Sequence, residues 1–168
     1  MPLSPKDFAE KLPLITRWIA ATLSDHSTAA RPVASLGFTR LPGYFSSRTL
    51  ASAKVVVVAR PPQLPLSQMG LSQFAAFEQT QPAGITYLDT FFVRREYAAS
   101  ESLHFHEMIH VVQWKLLGAE RFVAAYADGL DRFGYRDSPL EVMAYDAEDR
   151  FVSGDKFDAE TLVSDALD

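Results

Sequence analysis

The sequence predicts an α+β fold, with a small mixed β-sheet from the first half of the chain packed against one central helix and followed by further C-terminal helices. Three observations point there. Residues 27–95 hold short β-branched and aromatic runs separated by Gly, Pro and Ser; residues 100–152 repeat apolar side chains at helical spacing; and a first helical stripe precedes both, within residues 1–26. With 168 residues, no internal repeat and no low-complexity linker, residues 1–168 read as a single domain with a core of its own.

Each element has a local reason. Ser4-Pro5-Lys6-Asp7 has the form of a helix start, with a capping serine, proline at the first helical position and an acid in the first turn. Phe8, Leu12, Ile15, Ile19 and Leu23 then fall on one helical face, and Pro13, which lacks an N–H, is expected to kink or split that helix. Lys54–Ala59 is the clearest strand, β-branched and expected to be buried on both faces, and Pro61-Pro62 ends it. Gly70–Phe77 is expected to form a short helix. Gly84–Val93 reads as one strand with imperfect alternation. A helix is expected over about 100–117 with Gly118 as its stop, a second over 120–133 closed by Gly134, and a third from Ser138-Pro139 to about Val152. The acidic tail after Gly154 is expected to be loosely ordered.

Composition narrows the function. A net charge of −5 offers no electrostatic case for nucleic acid. There is no cysteine, so any transition metal here must be held by His, Asp or Glu. Asp7 and Glu10 stand where a signal peptide would be basic, and purely apolar runs such as Val55–Ala59 are too short to span a bilayer; the expectation is a cytoplasmic protein without a membrane partner.

The chain has four histidines, and two of them form His106-Glu107-Met108-Ile109-His110. On a helix, positions i and i+4 lie one turn apart on one face, so two imidazoles can grip one metal ion, while Glu107 is rotated off that face and can reach a water on the metal without being a ligand. Phe105, Ile109, Val112 and Leu116 form an apolar stripe beside them, and His106, His110 and Gln113 share the adjacent face. A catalytic zinc needs a third protein ligand. His104 lies on another side of the helix and no histidine follows His110, which leaves a carboxylate. Glu141 is the choice, with Asp146 and Glu148 weaker candidates on the same helix; its core face is Leu140, Ala144, Ala147 and Phe151, and Glu141, Tyr145 and Glu148 form the neighbouring face. Ser138-x-x-Glu141 is also the pattern of a capping box, in which the glutamate only closes the helix start, and spacing leaves both roles open.

His106-Glu-Met-Ile-His110 followed by Ser138-Pro-Leu-Glu141-Val-Met-Ala-Tyr145 resembles the gluzincin metallopeptidases, closest to minimal bacterial members and more distantly thermolysin. The resemblance covers about 84–151, under half of the chain, and the first eighty residues take no part in it. It implies a zincin-like fold, zinc on His106, His110 and Glu141, Glu107 as general base, and a peptide or protein substrate lying along the edge of the 84–93 strand. It also implies a residue that stabilises the tetrahedral intermediate, for which Tyr145 and Tyr135 are the candidates. The alternative expectation is a non-catalytic or latent zinc-binding module acting as a binding or regulatory protein, plugged by the N-terminal helix or the 61–65 loop; a third keeps the fold without a metal.

Overall fold

A computed structural model describes residues 5–168. The expected Ser4 cap lies outside the described residues. Helix α1 spans Pro5–Asp25 and runs through Pro13 as one element, with Thr16 Oγ1 bonding back to the Leu12 carbonyl at 3.0 Å. Strands β1 (Arg31–Pro32), β2 (Lys54–Val58), β3 (Gly84–Tyr87) and β4 (Thr90–Arg94) form one sheet in the order β1-β2-β4-β3. β2 and β4 are parallel and the outer pairs antiparallel, so the sheet is mixed. Short helices α2 (Ser47–Ser52) and α3 (Ala75–Glu78) interrupt the strand-rich part, and a single 3₁₀ turn, Ser72–Phe74, leads into α3 within the expected 70–77 helix.

Residues 84–93 are not one strand. They fold back as a hairpin in which Tyr87 pairs with Thr90 across Leu88-Asp89, and Leu88 takes a left-handed backbone (φ 59°). No glycine or asparagine marks that position, so imperfect alternation was the only trace of the turn in the sequence. β2 is covered on both faces only over Val55 and Val56; Val57 is 42% exposed, because β1 pairs with just Lys54 and Val55 and leaves the rest of β2 at an open edge.

The sheet separates two cores. Val55, Phe91 and Val93 point to one side and pack with Phe105, Met108, Ile109 and Val112. Val56, Phe92 and Tyr87 point to the other and meet Ile15 and Ile19 of α1. The period-2 alternation of strand side chains produces this division.

Helix α4, Glu101–Phe133, starts at Ser100, whose side chain accepts from the Leu103 N–H, and is broken at Gly118 (φ 75°, ψ 165°). The expected stop is therefore present, but the second half resumes at once without a loop. Helix α5, Pro139–Ser153, packs along α4 and buries Leu140, Ala144, Ala147 and Phe151 as expected. Leu116, the end of the expected apolar stripe, does not reach the core and is 43% exposed, as is Phe133, the last residue of α4, at 49%.

The tail is ordered, contrary to expectation. Helix α6, Ala159–Leu167, is capped by Asp158 and buries Ala159 and Val163 completely. Ala159 N–H donates to the Tyr44 carbonyl at 3.0 Å and Glu160 accepts from Ser46 N–H at 2.7 Å, so the acidic side chain works as a long-range clamp. Among the described residues no helix is long and apolar enough to cross a membrane.

Candidate metal centre

The site lies where α4 faces α5 and β3. In the first half of α4, His106 and His110 turn toward α5 while Glu107, about 100° further round, turns toward β3. All three, with Glu141 from the first turn of α5, are buried, each at most 4% exposed. Polar groups this deep require partners, and here they find one another.

His106 Nε2 lies 3.2 Å from His110 Nε2 and 3.2 Å from Glu141 Oε2, and His110 Nε2 lies 3.3 Å from Glu141 Oε1. One ligand atom from each of His106, His110 and Glu141 lies within 4.8 Å of the others, so the trio could hold a metal ion. The outer ring nitrogens support that arrangement. His106 Nδ1 faces Glu148 Oε2 at 3.1 Å, and His110 Nδ1 faces Gln113 Oε1 at 2.8 Å. Gln113 is fixed by its own Nε2, which donates to the Leu140 carbonyl at 3.0 Å. With both Nδ1–H groups donating outward, each Nε2 presents a lone pair inward. Two lone pairs and a carboxylate converging on one point repel unless a cation sits among them.

The electrostatics carry the same demand. Burial alone would lower His106, but its hydrogen bonds to Glu141 and Glu148 overcome that and push it up to about 10. Burial alone would raise Glu141; the His110 charge and the bonds to both imidazoles hold it well below the usual carboxylate range instead. The centre is thus built around positive charge, supplied by a proton or a metal ion.

Ser138 does not form the capping box. Its Oγ donates to the Tyr135 carbonyl at 3.0 Å and no side-chain cap bond is made, while Glu141 turns to the histidines and accepts from Tyr126 Oη at 2.8 Å. Of the weaker candidates, Glu148 reaches the outer nitrogen of His106 and Asp146 is exposed. Tyr145 sets its ring edge-to-face with His106, centroids 4.5 Å apart, and the Arg136 guanidinium lies 3.4 Å from the Tyr145 ring centre. Tyr135 instead lines a cleft together with Glu107, His110 and Glu141.

Glu107 is not drawn into the trio. Its Oε2 accepts from Thr86 Oγ1 of β3 at 2.6 Å. Burial raises its pKa above the usual carboxylate value, against the opposing charges of His106 and His110 and the Thr86 bond. Gly84 makes room for it: a Cβ there would lie 2.8 Å from Glu107 Oε1 and 3.1 Å from its Cγ.

Compared with models of known protein families, with curated proteins and with solved structures, the chain matches none. Roles at the centre therefore rest on its own chemistry.

Four participants escaped the sequence reading. Gly84 and Thr86 are ordinary strand residues until β3 is placed against Glu107. Tyr126 stands at helical spacing with Phe122 and Leu130, the pattern of a core stripe, yet its hydroxyl holds Glu141. Its ring stacks on Phe122, which stacks on Trp114, whose indole N–H donates to the Thr86 carbonyl at 3.2 Å. One aromatic stack, bridging the Gly118 break, thus ties the partner of Glu141 to the partner of Glu107. Trp114, the fourth, has only its place beside Gln113 as a sequence signal.

Proposed function

We propose that the chain is a zinc-dependent peptidase of zincin-like architecture, with His106, His110 and Glu141 as ligands and Glu107 as general base. The observation that carries the reading is the separation of roles around one point. Three groups converge toward one point, and a fourth group, the carboxylate of Glu107 next to His106 on the helix, faces the cleft along β3 with its pKa raised by burial. A bound zinc supplies a water acidic near neutral pH and a Lewis acid for a carbonyl oxygen. Glu107, with one oxygen accepting from Thr86, would use the other to take a proton from a water held at the metal position and pass it to the leaving amine. Glu148 and Gln113 hold the imidazoles in the tautomer that points Nε2 inward, and Tyr126 orients Glu141. Tyr135, on the cleft wall, donates to Tyr145; burial and the Glu141 charge keep both protonated, and this pair is the source of a donor for a developing oxyanion. The β3 edge faces the cleft with the Thr86 carbonyl already bonded to Trp114, so an extended peptide pairs there through the Gly84 backbone and the Thr86 N–H.

The deep burial of the trio favours a second reading, a metal module without catalysis. Against it, no fourth His, Asp, Glu or Cys joins the group among the described residues, and neither α1 nor the 61–65 loop supplies one.

The test is zinc content and peptide hydrolysis measured on wild type, Glu107→Gln and Glu141→Ala. The peptidase reading expects Glu107→Gln to keep zinc and lose at least about 100-fold in turnover, and Glu141→Ala to lose zinc. Full activity in Glu107→Gln would sink the mechanism; a wild type that holds zinc but cleaves nothing across a diverse peptide library supports the module.

A further inference from the structure

The metal centre, as it stands, offers no room for a peptide. His106, Glu107, His110 and Glu141 are each at most 4% exposed, and the cavity that borders them amounts to about 90 Å³. That holds a few water molecules, whereas ligand pockets start at about 300 Å³. A wall must move before a substrate can meet Glu107. Helix α4 carries two of the ligands, β3 is paired within the sheet, and α1 seats Ile15 and Ile19, each 1% exposed, in the core. The remaining wall is the segment 65–81, which contributes Leu66, Leu71, Phe74 and Phe77.

That segment is bonded to itself. Met69 N–H donates to the Pro65 carbonyl, Leu71 N–H to Leu66, Phe74 N–H to Leu71 and Thr80 N–H to Phe77. Its one charged side chain, Glu78, accepts from the Ser67 N–H and hydroxyl and so closes the loop on itself. Outward bonds reach only its own root, at the Leu64 carbonyl and the Gln63 side chain. Among the described residues no hydrogen bond or ion pair joins 65–81 to α1, α4 or the sheet. Both roots are fixed: Tyr87 Oη donates to the Pro62 carbonyl at 2.7 Å, and Arg94 N–H donates to the Ala83 carbonyl at 2.9 Å. What seats the segment is apolar contact, with Phe77 against the rings of Tyr135 and Tyr126, centroids 5.7 and 6.2 Å away.

We propose that residues 65–81 are a lid over the metal centre, lifting as one unit about their two fixed roots to admit substrate. The proposal rests on the metal-site reading of His106, His110 and Glu141. Lifting keeps every hydrogen bond inside the segment and exposes only its apolar underside, so this wall leaves the cavity more readily than a paired strand or a core helix.

The experiment reads the lid and the metal separately. Hydrogen exchange on the full chain is expected to show the amides of Met69, Gly70, Leu71, Phe74 and Thr80 opening together, at least ~10-fold less protected than those of α1 and α4. The chain has no cysteine, so single thiols report access to either core. Val123→Cys lies on the cavity wall facing the lid, and Val93→Cys lies in the core on the other side of the sheet. Phe77→Ala is expected to speed iodoacetamide labelling of the Val123→Cys thiol at least ~10-fold and to leave that of the Val93→Cys thiol within about twofold. On zinc-loaded protein the same change should raise zinc uptake and zinc release to EDTA together, by at least ~10-fold each, with Kd unchanged. Leu71→Ala, which leaves the rings of Phe77, Tyr126 and Tyr135 in place, should do likewise. Unaltered labelling of the Val123→Cys thiol, or exchange of 65–81 only in step with α1, overturns the lid. Zinc affinity that falls without faster exchange overturns it too, since Phe77 then only supports Glu141 through Tyr126. A wild type that takes up no zinc overturns the metal-site reading, while thiol labelling still judges the lid.

Discussion

Glu107 and Glu141 are both buried carboxylates on facing helices, yet their surroundings push them in opposite directions. Burial dominates at Glu107 and raises it, as the proposed role of general base requires. At Glu141 burial is outweighed by two imidazoles, and the group stays ionised. The histidine side of that pair has a pH signature. Metal-stripped protein gains stability from His106, whose folded value, up to about 10, exceeds the ordinary value of about 6.5. That contribution is fully present below pH ~6.5 and is lost as pH rises toward about 10. The Glu141 contribution has the opposite sense: it is present above the unfolded value of about 4.5 and is lost as pH falls below it. Stripped protein is therefore expected to melt highest between about pH 5 and 6.5 and at falling temperatures up to pH 10. Zinc binding near pH 7.5 should release a proton, visible as different calorimetric heats in buffers of different ionisation enthalpy. A melting temperature that stays level or climbs between pH 6.5 and 10 would refute the assignment.

At the scale of elements, the site depends on how closely β3 approaches α4. Gly84 permits that approach by lacking a Cβ, which would otherwise meet Glu107 Oε1 at 2.8 Å, Cδ at 3.0 Å and Cγ at 3.1 Å. Its φ is not left-handed, so the reason for glycine is space rather than backbone conformation. Gly84→Ala is expected to displace the base while leaving the trio on α4 and α5 intact. On the peptidase reading hydrolysis should fall about 10- to 100-fold, with zinc affinity at the wild-type level. A variant that loses zinc as readily as activity would mean that β3 supports the whole centre rather than the base. The same scale explains why Tyr126 and Thr86 were not legible in the sequence. Each becomes a partner only when a second element arrives: α5 brings Glu141 to Tyr126, and the β3–β4 hairpin brings Thr86 to Glu107. A core stripe at helical spacing contains no signal for which of its members will end a hydrogen-bond chain.

Across the whole molecule, the sheet is filled on both faces, with α1 on one side and the α4–α5–α6 assembly on the other. The last helix belongs to that assembly. Val163 is fully buried, and Glu160 accepts hydrogen bonds from Ser46 N–H and Thr49 Oγ1. Val163→Asp is expected to destabilise the chain by about 3–4 kcal/mol, measured by urea denaturation. In a loosely ordered tail the same change would stay within about 0.5 kcal/mol, so the two descriptions of the C-terminus are separated by one measurement. The charge of this tail had pointed to solvent. What counted was its apolar period, Ala159 and Val163 one turn apart, and the reach of Glu160 back to residues over a hundred positions earlier.

The sequence by itself determined the α+β class, the helix carrying His106-Glu107-x-x-His110, its break at Gly118 and the buried face of α5. These are local: helical period, glycine stops and the i, i+4 geometry act within a few turns of chain. It left Glu141 between a helix cap and a metal ligand, because Ser138-x-x-Glu141 serves either purpose at the same spacing. Only the tertiary structure ruled out the cap, by placing α5 against α4 so that Glu141 meets both imidazoles while Ser138 turns to Tyr135. It also decided the hairpin at Leu88-Asp89, the pairing of Thr86 with Glu107 and the cleft between α1 and α4. Those depend on residues from distant segments sharing one desolvated volume, where every buried polar group must find its partner. No local pattern encodes which partner that will be.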